Sequence, residues 1–220
     1  MIRNNPFLNI TVVPLRLLTQ LGLMAILISG QLQAGNPPKQ LIGVIDHFMN
    51  MDSTSLEISQ VIDWRFSSKY DSVSLQMDIK GGRNFRLTLA DFGLEIFVNE
   101  REMITLNHVR SQILFEKSSP DALIKQLFVG GDLDDARFKR EKSLDDGSRQ
   151  LDFKFVGDFS DWESLSVILD EKDDLKRMTL IDYDGNKYLI AMVYQTKFND
   201  FMLPDVKQDY LHYQVADLRE

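Results

Sequence analysis

The fold of this chain is decided by Val73-Ser74-Leu75-Gln76-Met77-Asp78-Ile79, then Lys80-Gly81-Gly82-Arg83-Asn84, then Phe85-Arg86-Leu87-Thr88-Leu89. Apolar and polar residues alternate with a period of two on both sides of a glycine-rich turn. Such alternation is typical of antiparallel strands that have one dry face and one wet face. We therefore predict two paired strands joined by a turn at 81–84.

The same period continues outward in both directions. Ile58, Ile62, Trp64 and Phe66 share it just before this hairpin. Further strands are predicted at 94–98, 103–106, 113–115, 151–155, 165–169, 178–180 and 188–194. The last of these is apolar on both faces, which predicts a central strand. About eight to ten short strands, with turns roughly every 8–12 residues, are typical of a sandwich or a barrel.

Two amphipathic helices accompany the strands. Leu41, Ile45 and Phe48 recur at helical spacing and predict a helix over 38–50. A second helix is predicted to begin near Ser119-Pro120-Asp121, since serine caps helices and proline suits the first helical position. Its apolar stripe consists of Leu123, Ile124, Leu127 and Phe128, and Gly130-Gly131 ends it.

The first 34 residues differ from the rest. They contain Arg3 and Arg16 and no acidic residue, and a short apolar run over 21–28 follows. The run is short and interrupted, so a cleaved secretory signal peptide is favoured over an uncleaved membrane anchor. We therefore expect a signal peptide at 1–34 and a single domain at 35–220, located outside the cytoplasm.

Composition excludes several classes of function. The net charge of -8 argues against a nucleic-acid binder, and the absence of cysteine excludes disulfides, thiolate metal sites and a cysteine nucleophile. His47, His108 and His212 have no metal-ligand spacing, and the acidic cluster Asp132, Asp134 and Asp135 is interpreted as a solvated loop. No nucleophile–base set can be named, so we expect neither an enzyme nor a metal or cofactor.

The apolar stripes and strand faces leave two interpretations. The helices simply cover the sheet and fill its core. Alternatively, a curved sheet holds a lipid and the helices form a lid over it. Periodicity alone favours the first interpretation.

Several local motifs resemble the periplasmic outer-membrane lipoprotein carrier family (LolA-like). Residues 79–87 are similar to its strand–turn–strand "K-x-P-x-x-F-R", and residues 99–106 to its central hairpin. Residues 119–124 resemble its lid helix, residues 178–186 its "L-x-x-M-x-x-x-D-x-x-G-N" hairpin, and residues 201–204 its closing "F-x-x-P". The turn departs from the pattern, because Gly81 and Gly82 stand where the family has arginine and proline. The resemblance is therefore to a divergent member.

The resemblance implies a mainly β (α+β) fold: a curved antiparallel sheet or half-open barrel covered by a lid of two or more helices. It implies a monomeric periplasmic carrier of lipoprotein acyl chains, loaded by an inner-membrane release complex and emptied by an outer-membrane acceptor. The expected cavity residues are Trp64, Phe85, Leu87, Leu89 and Ile96 from the sheet, and Leu41, Ile45, Phe48, Leu123, Leu127 and Phe128 from the helices. Arg83 and Arg86 are the candidates for a polar contact between lid and sheet.

Two other functions stay open. The same fold can carry another lipid or amphiphile, such as a glycolipid. Related folds also occur in periplasmic sensing domains that bind a protein partner.

Overall fold

A computed structural model describes residues 38–67, 70–81, 83–118, 135–157 and 161–219. These residues form one helix of several turns, α1 (Lys39–Met49), and a single helical turn at Val206–Asp209. The strands are β1 (Thr54–Asp63), β2 (Tyr70–Ile79), β3 (Phe85–Leu89), β4 (Leu94–Val98), β5 (Glu102–Asn107), β6 (Gln112–Lys117), β7 (Ala136–Ser143), β8 (Arg149–Phe155), β9 (Trp162–Leu169), β10 (Leu175–Asp182), β11 (Lys187–Tyr194) and β12 (Gln214–Asp217).

All twelve strands belong to one open sheet. Its order is β12-β6-β5-β4-β3-β2-β1-β11-β10-β9-β8-β7. Every neighbouring pair is antiparallel except β12 and β6, which run parallel. The sheet is thus a meander whose two halves meet where β1 pairs with β11. The predicted mainly β class and the central position of β11 are confirmed.

The deciding hairpin has the predicted form. Met77 pairs with Leu87, and Ile79 with Phe85, across a turn in which Gly81 has φ of +59°. That left-handed conformation favours glycine. Asp52 Oδ1 accepts a hydrogen bond from the Gly81 N–H at 2.8 Å. The sequence after α1 therefore helps to fix the turn.

The structure corrects three predictions about strands. Strand β1 ends at Asp63, so Trp64 and Phe66 lie in the following turn, and the Phe66 side chain is 85% exposed. Strand β7 was not predicted, because its sequence ARFKREKS is charged at most positions, as befits an edge strand. The sheet is also not wholly antiparallel, because the chain returns to add β12 beside β6.

Helix α1 packs on one face of the sheet, which we call the inner face. Leu41, Val44, Ile45 and Phe48 are buried against it at the spacing of three and four that the sequence predicts. Pro38 precedes the first turn, and His47 Nε2 lies 3.0 Å from Asp174 Oδ1 in the β9–β10 turn. The predicted first helix is confirmed.

The predicted lid of two or more helices is not established. The second predicted helix, with its stripe Leu123, Leu127 and Phe128, lies outside the described residues, as does the predicted signal peptide at 1–34. Residues 119–134 join β6, next to one edge of the sheet, with β7 at the opposite edge. Among the described residues, no helix has the length and apolar character needed to cross a membrane.

Candidate functional site

The inner face of the sheet is one continuous apolar surface. Its buried side chains come from nine neighbouring strands, from β4 through β1 to β7 in the sheet order, together with the stripe of α1. Strand alternation explains this, since every second residue of each strand points to the same face. This surface is the part of the molecule best suited to hold an apolar ligand.

Most of the predicted cavity residues meet on this surface. Seven of them share its buried cluster or pack directly against it: Leu41, Ile45, Phe48, Phe85, Leu87, Leu89 and Ile96. Phe48 and Phe85 are each 1% exposed, whereas Ile96 is only partly buried. The structure thus brings these residues together, and whether they contact a ligand stays a prediction.

Trp64 occupies a different place. Its indole Nε1 donates a hydrogen bond to Asp71 Oδ2 at 3.0 Å, and its ring meets Tyr188 edge-on at 6.4 Å. Trp162 meets the same Tyr188 ring edge-on at 4.9 Å. These three aromatic residues form a group at the end of the sheet where β9 and β11 begin. Trp64 therefore borders the apolar surface at its end rather than lying in its middle.

The inner face is wider than α1 can cover. Nine strands spaced about 4.8 Å apart would span about 38 Å if they lay flat. An 11-residue helix is about 16 Å long and about 10 Å wide. The inner side chains are nevertheless buried, so α1 alone cannot shield them from solvent. Either the sheet curves around them or a further segment of the chain covers them.

A groove of about 300 Å³ runs along the seam between α1 and the sheet. Gln40, Gly43 and His47 line it on the helix side. Its floor is apolar and consists of Val44, Leu151 and Leu169, while Glu141, Arg149 and Asp173 supply a polar rim on the sheet side. An apolar floor with a polar rim is the usual form of a site for an amphiphile.

Two tyrosines of β11 stay uncharged next to this surface. Burial, reinforced by the charge of Asp182, raises the pKa of Tyr188 to about 12. Burial also raises the pKa of Tyr194 well above its usual range, and the charge of Asp174 acts in the same direction. Both phenols therefore stay protonated further into the alkaline range than ordinary tyrosines, so they add no negative charge beside the apolar surface.

The opposite, outer face carries a buried polar network around Asp78. The side chain of Asp78 is 0% exposed. Its Oδ1 accepts hydrogen bonds from Ser55 Oγ at 2.6 Å and Gln76 Nε2 at 3.0 Å. Its Oδ2 accepts two hydrogen bonds from Arg86, from Nε at 3.1 Å and Nη2 at 2.8 Å. The carboxylate thus accepts four hydrogen bonds, two of them from a charged guanidinium. These bonds make burial of the charge tolerable.

The network also fixes the C-terminal strap, which we define as residues 195–205. The backbone N–H of Asn199 donates to Ser55 Oγ at 2.8 Å, and Lys80 Nζ lies 2.6 Å from Asp200 Oδ1. The Phe201 ring lies beneath the Arg86 guanidinium at 5.5 Å. Phe201 also joins a second apolar cluster with residues of β4, β5 and β6 on the outer face. The strap therefore covers one half of the outer face.

This placement bears on the two arginines suggested for a lid contact. Arg86 lies on the face opposite Phe85 and Leu87, and hence opposite α1, with its guanidinium engaged by Asp78. Arg83 is exposed in the β2–β3 turn. Their contact with a second helix stays a prediction, because that helix lies outside the described residues.

A second groove, of about 480 Å³, is open and polar. It lies on the outer face between the strap and strands β1–β3, and its lining includes Glu57, Ser74, Gln76, Thr88, Asp91 and Lys197. Its mixture of carboxylates, hydroxyls and amides does not suit an acyl chain. The apolar floor at the α1 seam is the better candidate for a lipid.

The histidines all contact other side chains. His47 faces Asp174, His108 Nδ1 lies 2.9 Å from the Tyr213 hydroxyl, and the ring of His212 meets that of Tyr213 edge-on. Within the described parts of the chain, no group of three or more His, Cys, Asp or Glu side chains could hold a metal ion.

Sequence reasoning missed several residues that pack against the apolar surface. Trp162, Tyr188 and Tyr194 are partly buried against it, as are Met51 and Met103. For Tyr188 and Tyr194 a signal was available, because both fall in register with the apolar positions of a predicted strand. Met51 follows the helix in an irregular segment, where periodicity gives no information.

The chain matches no protein-family model and no curated protein sequence. Its structure is similar to the crystal structure of an uncharacterized conserved protein from Thermus thermophilus, with a TM-score of 0.50 and 14% identity over 81% of this chain and 99% of that chain. It also matches a DUF1329 family protein from Desulfovibrio piger, with a TM-score of 0.38 and 12% identity over 81% of this chain and 100% of the other. A LolA superfamily protein from Nitrosomonas europaea matches with a TM-score of 0.35 and 11% identity, over 77% of this chain and 96% of that one. The likeness to the Thermus protein is one of fold. The resemblance of the sequence motifs to the LolA-like family stays a prediction.

Proposed function

We propose that this protein is a periplasmic carrier that binds the acyl chains of lipoproteins on its inner face and passes them from the inner towards the outer membrane. In this proposal it acts as a monomer without a cofactor, receives cargo from an inner-membrane release complex and delivers it to an outer-membrane acceptor. The continuous apolar inner face, which is wider than α1 can cover, carries the proposal. The motifs at 79–87 and 178–186 supply the link to lipoprotein carriers.

The seam beside α1 is the proposed point of entry. There the apolar floor of Val44, Leu151 and Leu169 is continuous with the buried inner face. Each methylene that moves from water into such a surface contributes about 0.8 kcal/mol. The inner side chains pack on one another, so an acyl chain can enter only by replacing contacts between α1 and the sheet. Because the lost contacts offset part of the new ones, the net binding affinity is modest. A modest affinity allows the carrier to release its cargo.

Substitution of Ile96 by glutamate tests the proposal. Ile96 is partly buried at the margin of the inner face, so a charge there can be solvated in the empty protein but not beneath an acyl chain. We expect the affinity for a fluorescent acylated peptide to fall at least about tenfold, measured by titration. Leu127→Glu should abolish binding in the same assay if the second predicted helix covers the site.

Val156→Glu is the matched control. Val156 follows β8 and is 54% exposed, so the same change of charge should leave acyl affinity within about twofold of wild type. Circular dichroism must show that all variants are folded. A folded Ile96→Glu protein that binds the acylated peptide as tightly as wild type would remove the β4 margin of the inner face from the site.

A further inference from the structure

The outer face of β7–β11 has a charge opposite to that of the whole chain. The strand register places its outward residues in three rows that cross five strands. The rows are Lys142-Gln150-Ile168-Arg177-Ala191, Arg140-Asp152-Ser166-Thr179-Leu189 and Arg137-Lys154-Ser164-Ile181-Lys187. They contain six basic residues and one carboxylate, a local charge of +5 in a chain of net charge -8.

Most of this positive charge is not paired in salt bridges, although Asp63 of β1 lies directly across from Lys187 in the register. Arg140 Nε pairs with Asp152 Oδ2 at 2.6 Å. Lys142, Lys154, Arg177 and Lys187 are exposed, and none of them forms a salt bridge with another described residue. We call these four residues the basic face.

The basic face is broad. Lys142 and Arg177 lie three strands apart in one row, as do Lys154 and Lys187 in another, which corresponds to about 14 Å. The two rows lie four residues apart along β8–β11, also about 14 Å. The second pair is shifted by one strand relative to the first, so the four cations stand near the corners of a parallelogram, with Ile168, Ile181, Ser166 and Thr179 between them.

Apolar side chains adjoin these cations on the same face. Leu189 is 38% exposed and Val193 is 58% exposed, both on β11. The C-terminal strap makes its contacts in the other half of the outer face, at Ser55 and Lys80. These contacts do not cover the exposed residues of β11. Cations around exposed apolar residues suit an interface that is both negatively charged and partly apolar.

We propose that the basic face docks the protein on the anionic phospholipid headgroups of a membrane surface. A membrane presents a continuous negative plane, and Lys and Arg near such a plane strengthen adsorption. Four cations spread over two rows can contact a plane together, whereas an extended acidic peptide would meet one row at a time. The negative charge of the remaining chain disfavours every other orientation, so docking leaves α1 and the seam directed away from the lipid.

Co-sedimentation with vesicles tests this docking and does not involve the acyl site. Wild-type protein should bind vesicles of phosphatidylglycerol and phosphatidylethanolamine at low salt, and should not bind vesicles of phosphatidylcholine alone. The combined changes Lys142→Glu, Lys154→Glu, Arg177→Glu and Lys187→Glu should weaken binding at least about tenfold. Raising the salt to about 0.5 M should release the wild type, because exposed charges are then screened.

A second set of reversals, Lys39→Glu, Arg101→Glu, Lys117→Glu and Lys197→Glu, is the control. These exposed residues lie outside the basic face and change the net charge by the same amount. All proteins keep the same N-terminal residues, so any contribution of the apolar run at 21–28 cancels. The control set should bind within about threefold of wild type. Equal weakening by both sets, or failure of the wild type to bind anionic vesicles at low salt, would overturn the proposal.

Discussion

Replacement of Asp78 by alanine is expected to lower the free energy of unfolding by about 3–5 kcal/mol. The carboxylate is 0% exposed and holds Arg86 through two hydrogen bonds. Its removal leaves a guanidinium that is only 23% exposed without its counter-charge, and leaves Ser55 Oγ without its acceptor. Urea denaturation at neutral pH measures the loss.

Two further variants show whether the loss of stability comes from the buried charge of Asp78. Asp200→Ala removes an exposed partner of Lys80 and should lower the stability far less, because solvent screens that pair. Arg86→Leu added to Asp78→Ala should recover part of the stability, because no unpaired charge then remains. If Asp78→Ala unfolds within about 1 kcal/mol of wild type, the network does not hold the strap and sheet together as described.

Phe48→Ala is expected to destabilise the protein by a similar amount, about 3–5 kcal/mol. Phe48 is the largest side chain that α1 places on the inner face and is 1% exposed. Its truncation removes apolar contacts and leaves a cavity between helix and sheet. Thermal or urea unfolding measures the change, with Ile42→Ala as the control on the solvent side of the same helix.

Ile42 is 37% exposed, so its truncation should cost about 1 kcal/mol or less. A Phe48→Ala protein as stable as Ile42→Ala would mean that α1 does not close on the sheet in solution. The variant also bears on function, because a ligand that fills the new cavity should restore stability as its concentration rises. Acylated peptide should therefore raise the melting temperature of Phe48→Ala.

The sequence predicted those parts of the fold that have a strong period. Val73 to Leu89 alternates so regularly that the β2–β3 pairing follows from it, and the spacing of Leu41, Ile45 and Phe48 predicts α1 within one residue at each end. Each of these elements buries one face, and burial of one face produces a regular spacing of apolar residues in the sequence. The strands that were not predicted do not bury one face in this way.

Strand β7 shows the limit most clearly. Only Ala136 of this strand is buried, and the bulge between Phe138 and Arg140 breaks its alternation. An edge strand of this kind is specified by its neighbour β8 rather than by its own pattern. Strand β12 is similar, since it is four residues long and is held by pairing with β6.

The candidate site divides in the same way. Phe85, Leu87 and Leu89 were identified because a regular strand directs them to one face. Trp64 has the same period but follows the end of β1, and a turn redirects its side chain towards Asp71 and Tyr188. The buried Asp78 lies on the outward face of its strand, where the pattern predicts solvent. Its partners Ser55 and Arg86 also contact the C-terminal strap, and contacts so distant in sequence leave no local signal.

The basic face could not be predicted from the sequence either. Its four cations come from four strands between residues 142 and 187, within a chain whose composition is acidic. Only the register of β7–β11 brings them to one surface. Net charge argues against a nucleic-acid binder and yet says nothing about this local patch.

The central claim is that the inner face carries acyl chains, and native mass spectrometry of the protein purified from the periplasm of its own host tests it most directly. Denaturation of the complex, followed by lipid analysis, identifies whatever is bound. The account predicts acylated lipoprotein at about one molecule per chain, displaced by excess acylated peptide. A protein that is isolated folded and empty, and that takes up no acylated peptide afterwards, would contradict it.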